Sequence, residues 1–148
     1  MSEQEVPVPV VLMVDDDEED IYLTRRAFRS CGARCRFDHV NDGESLFAWL
    51  DNVGDYTDPE RAPRPQLILM DINMPRENGL ELLGRLRRSV RHSQIPVIML
   101  STSVADRDVD DAYRLGANSF IGKPTTASGM QEIARQVGEF WFGTATLP

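Results

Sequence analysis

Four stretches of this chain end in side chains that could do chemistry together. Asp15, Asp16 and Asp17 follow the apolar run Val10–Val14, and Asp71 follows Leu67–Met70. Ser101, Thr102 and Ser103 follow Val97–Leu100, and Lys123-Pro124 follows Phe120–Gly122. An ionised carboxylate taken out of water is costly unless something pairs with it. A cluster of Asp15, Asp16 and Asp71 therefore calls for a counter-cation. Lys123 is the one lysine among sixteen basic residues, the other fifteen being Arg. A chain that uses Arg wherever a cation will do keeps a lysine where a compact ammonium on a flexible stem is needed and a planar guanidinium would not serve.

Those side chains need elements to bring them to one place. Continuous apolar runs bounded by turn signals suit strands buried on both faces of a parallel sheet. Strands are expected at Val10–Val14, Arg34–Val40, Leu67–Met70, Ile95–Leu100 and Asn118–Gly122. Apolar residues at three- and four-residue spacing predict helices over Glu18–Cys31, Glu44–Val53, Gly79–Val90, Asp106–Leu115 and Thr126 to about Trp141. Inward faces are read at Ile21, Thr24 and Phe28; at Leu46, Phe47, Leu50 and Val53; and at Leu82, Leu83, Leu86 and Val90. Gly32 and Gly116 are helix stops. Asn41-Asp42-Gly43 is a turn, and Gly54–Pro65, with three prolines, is an extended surface loop. Five strands alternating with five helices make an α/β, doubly wound parallel sheet. In such sheets ligands bind outside the carboxyl edge of the strands, where Asp15, Asp71, Ser101 and Lys123 all fall.

A length of 148 residues suits one domain with a real core. Residues 1–9 read as a polar lead-in, 10–137 as the domain and 138–148 as an aromatic tail forming an interface. The net charge of −8 argues against binding nucleic acid through its phosphates, and against an anionic membrane surface. No apolar stretch approaches a bilayer span, and the acidic N-terminus is no signal peptide. The expected location is cytoplasmic. Cys31 and Cys35 are read as reduced thiols, since a disulfide is out of place in that compartment and His39 and His92 do not complete a zinc site. No Gly-rich phosphate loop of either common type is present.

The four polar stretches, in this order and spacing, resemble the receiver domain of two-component response regulators. Asp15 and Asp16 match the family's acidic pair, and Asp71, in Met-Asp-Ile-Asn-Met-Pro with Gly79 following, matches its phosphoacceptor. Ser101 matches its Ser/Thr and Lys123-Pro124 its Lys-Pro. The resemblance spans roughly residues 9–137. It implies a flavodoxin-like sheet of order 2-1-3-4-5 and a cis Lys123–Pro124 peptide. It also implies a Mg²⁺ held by Asp16 and Asp71, by Asp15 through water, and by the Asn73 carbonyl. Hard oxygen donors beside a phosphate favour that ion. The chemistry implied is transfer of a phosphoryl group from a partner's phosphohistidine to Asp71, with Ser101 and Lys123 stabilising its oxygens. The protein is then a switch and not an enzyme acting on a separate substrate. Ser101 and the strand-five aromatic, here Phe120, are its moving parts.

Asp17, Glu18, Glu19 and Asp20 are read as an ordinary acidic helix start. No effector domain follows the last helix, so the output is expected to be protein docking. The Pro-rich insertion and the Phe140-Trp141-Phe142 ending resemble small regulators paired with bacterial and cyanobacterial phytochrome histidine kinases. That subtype implies a sensor kinase partner, such as a phytochrome, and a homodimer. Two other classes compete. A receiver-like binding module without phosphorylation would keep the fold alone. An aspartate-nucleophile phosphatase would need a second Asp at position 73, where Asn73 stands.

Overall fold

The computed structural model describes residues 7–32 and 34–148. Residues 1–6 of the expected lead-in lie outside the described residues. Five strands, β1 (Val10–Val14), β2 (Arg36–Val40), β3 (Leu67–Met70), β4 (Val97–Ser101) and β5 (Ser119–Gly122), alternate with five helices. The helices are α1 (Glu18–Ser30), α2 (Gly43–Asp51), α3 (Gly79–Arg88), α4 (Asp106–Leu115) and α5 (Ala127–Gly138). All strand pairs are parallel, as the alternation of strands and helices predicts, and the order is β2-β1-β3-β4-β5, as the receiver-domain resemblance implies.

The apolar runs are continuous because the sheet is covered on both sides. Side chains alternate across a strand, so each run is divided between two cores. Leu12, Val14, Ile68, Met70, Val97 and Met99 meet Leu46, Trp49, Leu82, Leu83, Leu86 and Ala112 of α2, α3 and α4. Val11, Met13, Leu67, Leu69, Ile98 and Leu100 meet Ile21, Ala27 and Phe28 of α1 and Met130, Ala134 and Val137 of α5. Burying each such Leu, Ile or Val contributes about 1.5–3 kcal/mol.

Four helices open on a side-chain cap. Asp17, Asp42, Asn78 and Thr126 accept the backbone N–H groups of Asp20, Ser45, Leu80 and Gly129 respectively. Two helices end earlier than their periodicity predicts. Asn52, in the left-handed region at φ 53°, closes α2. Its side-chain amide then donates to the carbonyls of Trp49, Tyr56 and Ala62, at 3.4, 3.1 and 2.9 Å. Val53, expected inward, is thereby left outside, and Trp49, not expected there, is buried in the core. In α3, Ser89 turns extended, so Val90 is exposed instead of core.

The last helix also differs from expectation. After Gly138 the backbone widens into a π-helical turn, Glu139–Thr144. That turn seats Trp141 and Phe142 against the α1–α5 core and leaves Phe140, 53% exposed, edge-on to Trp141. Two of the three tail aromatics thus fold back on their own domain.

Candidate functional site

The sheet register places the polar ends side by side. Val14 of β1 is level with Met70 of β3, and Ser101 of β4 with Gly122 of β5. Backbone hydrogen bonds carry the ladder one residue further. The Asp15 N–H donates to the Val40 carbonyl at 3.1 Å, the Asp71 N–H to Val14 at 3.0 Å, and the Lys123 N–H to Ser101 at 2.7 Å. Asp15, Asp71 and Lys123 are therefore held at the Cα by the sheet itself. Each stands where the strand has just ended and its side chain can look into the crevice.

Lys123 is the centre of the cluster. Its Nζ lies 2.9 Å from Asp15 Oδ2, 2.8 Å from Asp20 Oδ2 and 3.2 Å from Asp71 Oδ1. The ammonium donates hydrogen bonds to Asp15 and Asp20, and Asp71 lies in ion-pair contact with it. Asp15 is fully buried, and its Oδ1 also accepts the Asp17 N–H at 2.9 Å. Asp71 and Ser101 are buried, whereas Asp16 is exposed. Asp16 lines an open cleft of about 460 Å³ with Asn41, Asp42, Met74 and Arg76.

The carboxylates outnumber their cation. Burial, with the charge of Asp15 added, pushes the Asp71 carboxyl up to about 6 against the pull of Lys123. Burial likewise raises Asp15. For Lys123, burial lowers the pKa, but hydrogen bonds to Asp20 and Asp15 and the charges of Asp15 and Asp71 outweigh it. The ammonium is held charged. Asp15, Asp16 and Asp71 can each present one oxygen within 4.8 Å of the other two. Oxygen-only donors, an excess of negative charge and one open side together fit a hard divalent cation that keeps some of its waters.

The remaining expected residues fall around this cluster. The Ser101 hydroxyl, buried at the end of β4, accepts the Ser103 N–H at 3.2 Å. Asn73 is exposed in the loop after β3. Phe120 is half-buried against the α2–α3–α4 core, and its N–H donates to the Tyr113 hydroxyl at 3.1 Å. Gly79 closes the loop after β3 by donating its N–H to the Ile72 carbonyl at 2.8 Å. A Cβ there would stand 2.0 Å from the Asp71 carbonyl oxygen, so only glycine lets α3 begin this close to the site. The Lys123–Pro124 peptide is trans, contrary to the expected cis form. Trans is the form X–Pro bonds favour by about 0.5–1 kcal/mol.

Asp20 is the site residue that sequence reasoning missed. It looked like part of an acidic first turn, yet it reaches Lys123. A signal was present: Asp20 lies four residues before Thr24, which is fully buried, so it tops the inward stripe of α1. A carboxylate on that stripe requires a partner. The two histidines lie elsewhere, His39 beside Arg25 and His92 between Asp51 and Arg64.

Comparison with known proteins agrees with this arrangement. The profile of the response regulator receiver domain matches residues 11–135. Response regulator Rcp1 of Synechocystis sp. is 31% identical over 148 residues, covering 100% of this chain and 99% of that protein. The crystal structure of its Mn²⁺-bound form superposes with a TM-score of 0.82, covering 95% of this chain and 99% of that one. The phosphorylated cyanobacterial phytochrome response regulator RcpA is 34% identical with a TM-score of 0.86, over 96% of this chain and 99% of that one. RPA3017, a response regulator in red light signaling of R. palustris, is 30% identical with a TM-score of 0.89, over 95% and 99%.

Proposed function

Because this chain belongs to the response regulator receiver domain family, we propose that it accepts a phosphoryl group on Asp71 from the phosphohistidine of a sensor kinase. The observation that carries the reading is the convergence of Asp15, Asp20 and Asp71 on the chain's one ammonium at the carboxyl edge of the sheet. The kinase is a phytochrome, a reading supported by the likeness to RcpA and to the red-light regulator. The unit that does this is residues 10–137, in the cytoplasm, with no call for nucleic acid or a membrane. Among the described residues no helix is long and apolar enough to cross one.

One Asp71 carboxylate oxygen attacks phosphorus in line. The P–O bond forms as the P–N bond to the donor imidazole breaks, and the leaving nitrogen keeps the electron pair and takes up a proton. Little covalent help is needed, so the work of the site is positioning and charge stabilisation. Lys123 donates to one equatorial oxygen and the Ser101 hydroxyl to another. Asp16 and Asp71, with Asp15 through water and the Asn73 carbonyl, would hold Mg²⁺. When bound, that ion supplies the positive charge the carboxylates and phosphoryl oxygens need. The same donors assist hydrolysis, so the chain takes part in its own dephosphorylation. The new group adds about −1.5 to −2 charge beside Ser101. Ser101 moves toward it, and Phe120 turns inward into the space released.

The test is intact-protein mass after incubation with Mg²⁺ and acetyl phosphate, wild type beside Asp71→Asn. We expect a Mg²⁺-dependent phosphate adduct in the wild type alone. An adduct on both proteins would overturn the assignment of Asp71. No adduct from acetyl phosphate or from a phosphorylated kinase would make the chain a receiver-fold binding module.

The tail, residues 138–148, contributes to a homodimer through exposed Phe140, with Trp141 and Phe142 seating it. Truncation after Gly138 is expected to halve the hydrodynamic mass. An unchanged mass would remove the tail from any dimer contact.

A further inference from the structure

We propose that Asp20 is a positioning residue for the phosphoryl-transfer site. With Asp15 it fixes the Lys123 ammonium so that the third N–H is delivered to Asp71 and then to the phosphoryl group Asp71 carries. The proposal deepens the phosphoacceptor reading and rests on it.

Lys123 reaches the site on a flexible stem. A four-carbon stem carries about 2 kcal/mol of rotamer entropy, and a single ion pair at its tip leaves the ammonium free to pivot. Asp15 provides one fixed anchor at 2.9 Å, from the end of β1. Asp20 provides a second at 2.8 Å, from a different element, the first turn of α1. Two hydrogen-bonded anchors on separate elements fix the ammonium, which lies in ion-pair contact with Asp71 Oδ1 at 3.2 Å. This is the longest of the three contacts, and it is the one the reaction must remake as the carboxylate becomes an acyl phosphate.

Asp20 is itself well held. Its backbone N–H donates to the Asp17 carboxylate at 3.0 Å, and its carbonyl accepts from the Thr24 hydroxyl at 2.7 Å. Neither bond uses the Asp20 carboxylate, so the first turn of α1 survives a change of that group. The carboxylate is about one-third exposed, far more than Asp15 or Asp71. Water can replace it, so its removal loosens the ammonium without leaving a buried orphan.

The decisive experiment exploits the single lysine. Protein labelled with ¹⁵N-lysine has one ammonium signal, that of Lys123, and its hydrogens stay visible only while hydrogen bonds shield them from water. In metal-free Asp20→Asn, exchange of these hydrogens is expected to rise roughly tenfold, as one charge-assisted bond is weakened. With Mg²⁺ and acetyl phosphate, formation of the phosphate adduct is expected to slow by a similar factor, roughly tenfold. Asp20→Glu, which keeps the charge, should restore part of both. Unchanged exchange in Asp20→Asn would overturn the proposal. So would faster or equal phosphorylation despite loosened exchange, because Asp20 would then act only as a repelling charge. A wild type that takes no phosphate would remove the phosphoacceptor reading and the phosphoryl half of this proposal together. The exchange measurement would still show whether Asp20 anchors the lysine.

Discussion

The two edges of the sheet each carry a polar cluster around a buried group, and the two are built to opposite rules. At the amino edge, His92 accepts from Arg64 at Nδ1, 3.2 Å away, and pairs through Nε2 with Asp51 at 2.7 Å. Arg64 also donates to the Arg91 carbonyl at 3.1 Å, and the Trp49 indole to the Pro63 carbonyl at 2.8 Å. Donors and acceptors match, and the Pro-rich loop between α2 and β3 is strapped down. At the carboxyl edge three carboxylates share one ammonium, with Asp16 beside them. Among the described residues no buried side-chain nitrogen or oxygen lacks a hydrogen-bond partner at either edge. The difference therefore lies in charge and not in hydrogen-bond count. A matched cluster holds a loop. An unmatched one stores a demand for positive charge that an ion from outside can meet.

The sharpest way to break this contrast is to remove the central residue of each cluster. Lys123→Met leaves Asp15 and Asp71 buried without their cation and should cost about 3–5 kcal/mol in metal-free protein at neutral pH. Saturating Mg²⁺ should recover much of that loss. His92→Ala should cost less, roughly 2–3 kcal/mol from a small cavity and two broken bonds, and the loss should be the same with or without Mg²⁺. Urea midpoints in both conditions check this. A Mg²⁺-insensitive Lys123→Met would show that the carboxyl edge is no different in kind from the other.

A smaller effect follows from pH. The folded Asp71 pKa, about 6, lies above its usual 3.8. Between those values the folded chain holds a proton that the unfolded chain has lost. Stability of the metal-free protein should therefore fall as pH rises from about 4 to about 6, by at most about 3 kcal/mol, and level off above. Asp15, raised by burial as well, adds to the same direction. Lys123 stays charged throughout and contributes no slope. Because a cation binds only the ionised carboxylates, Mg²⁺ should flatten or reverse the trend in thermal melts. A metal-free protein that gained stability over that range would mean the cluster is balanced without an ion.

Most of the fold was legible from local patterns. The apolar runs of β1, β3 and β4 read as strands covered on both faces, and the helix stripes marked the crossovers. Errors fell at element ends. Val53 and Val90 continue an apolar period, but the left-handed Asn52 and the extended Ser89 stop the helices before them. Periodicity reports which residues could face inward and does not report where the backbone turns. The end of the last helix differs for a related reason: a π-helical turn from Glu139 shifts every later residue around the axis, which counting in steps of 3.6 does not follow.

The sequence by itself determined the composition of the site. Asp15, Asp16, Asp71, Ser101 and the lone Lys123 each follow an apolar run, and a parallel sheet has one carboxyl edge to which such residues can go. Only the tertiary structure decided how the charges are shared. Asp17, Glu18, Glu19 and Asp20 look alike as a string of acids. Yet Asp17 caps the helix, and Asp20 alone reaches Lys123, more than a hundred residues away in the chain. Which acid meets the ammonium depends on how α1 is rotated against the sheet. That rotation is set by the packing of Ile21, Ala27 and Phe28 against β1, β3 and α5. Charge spacing along the chain carries no record of it.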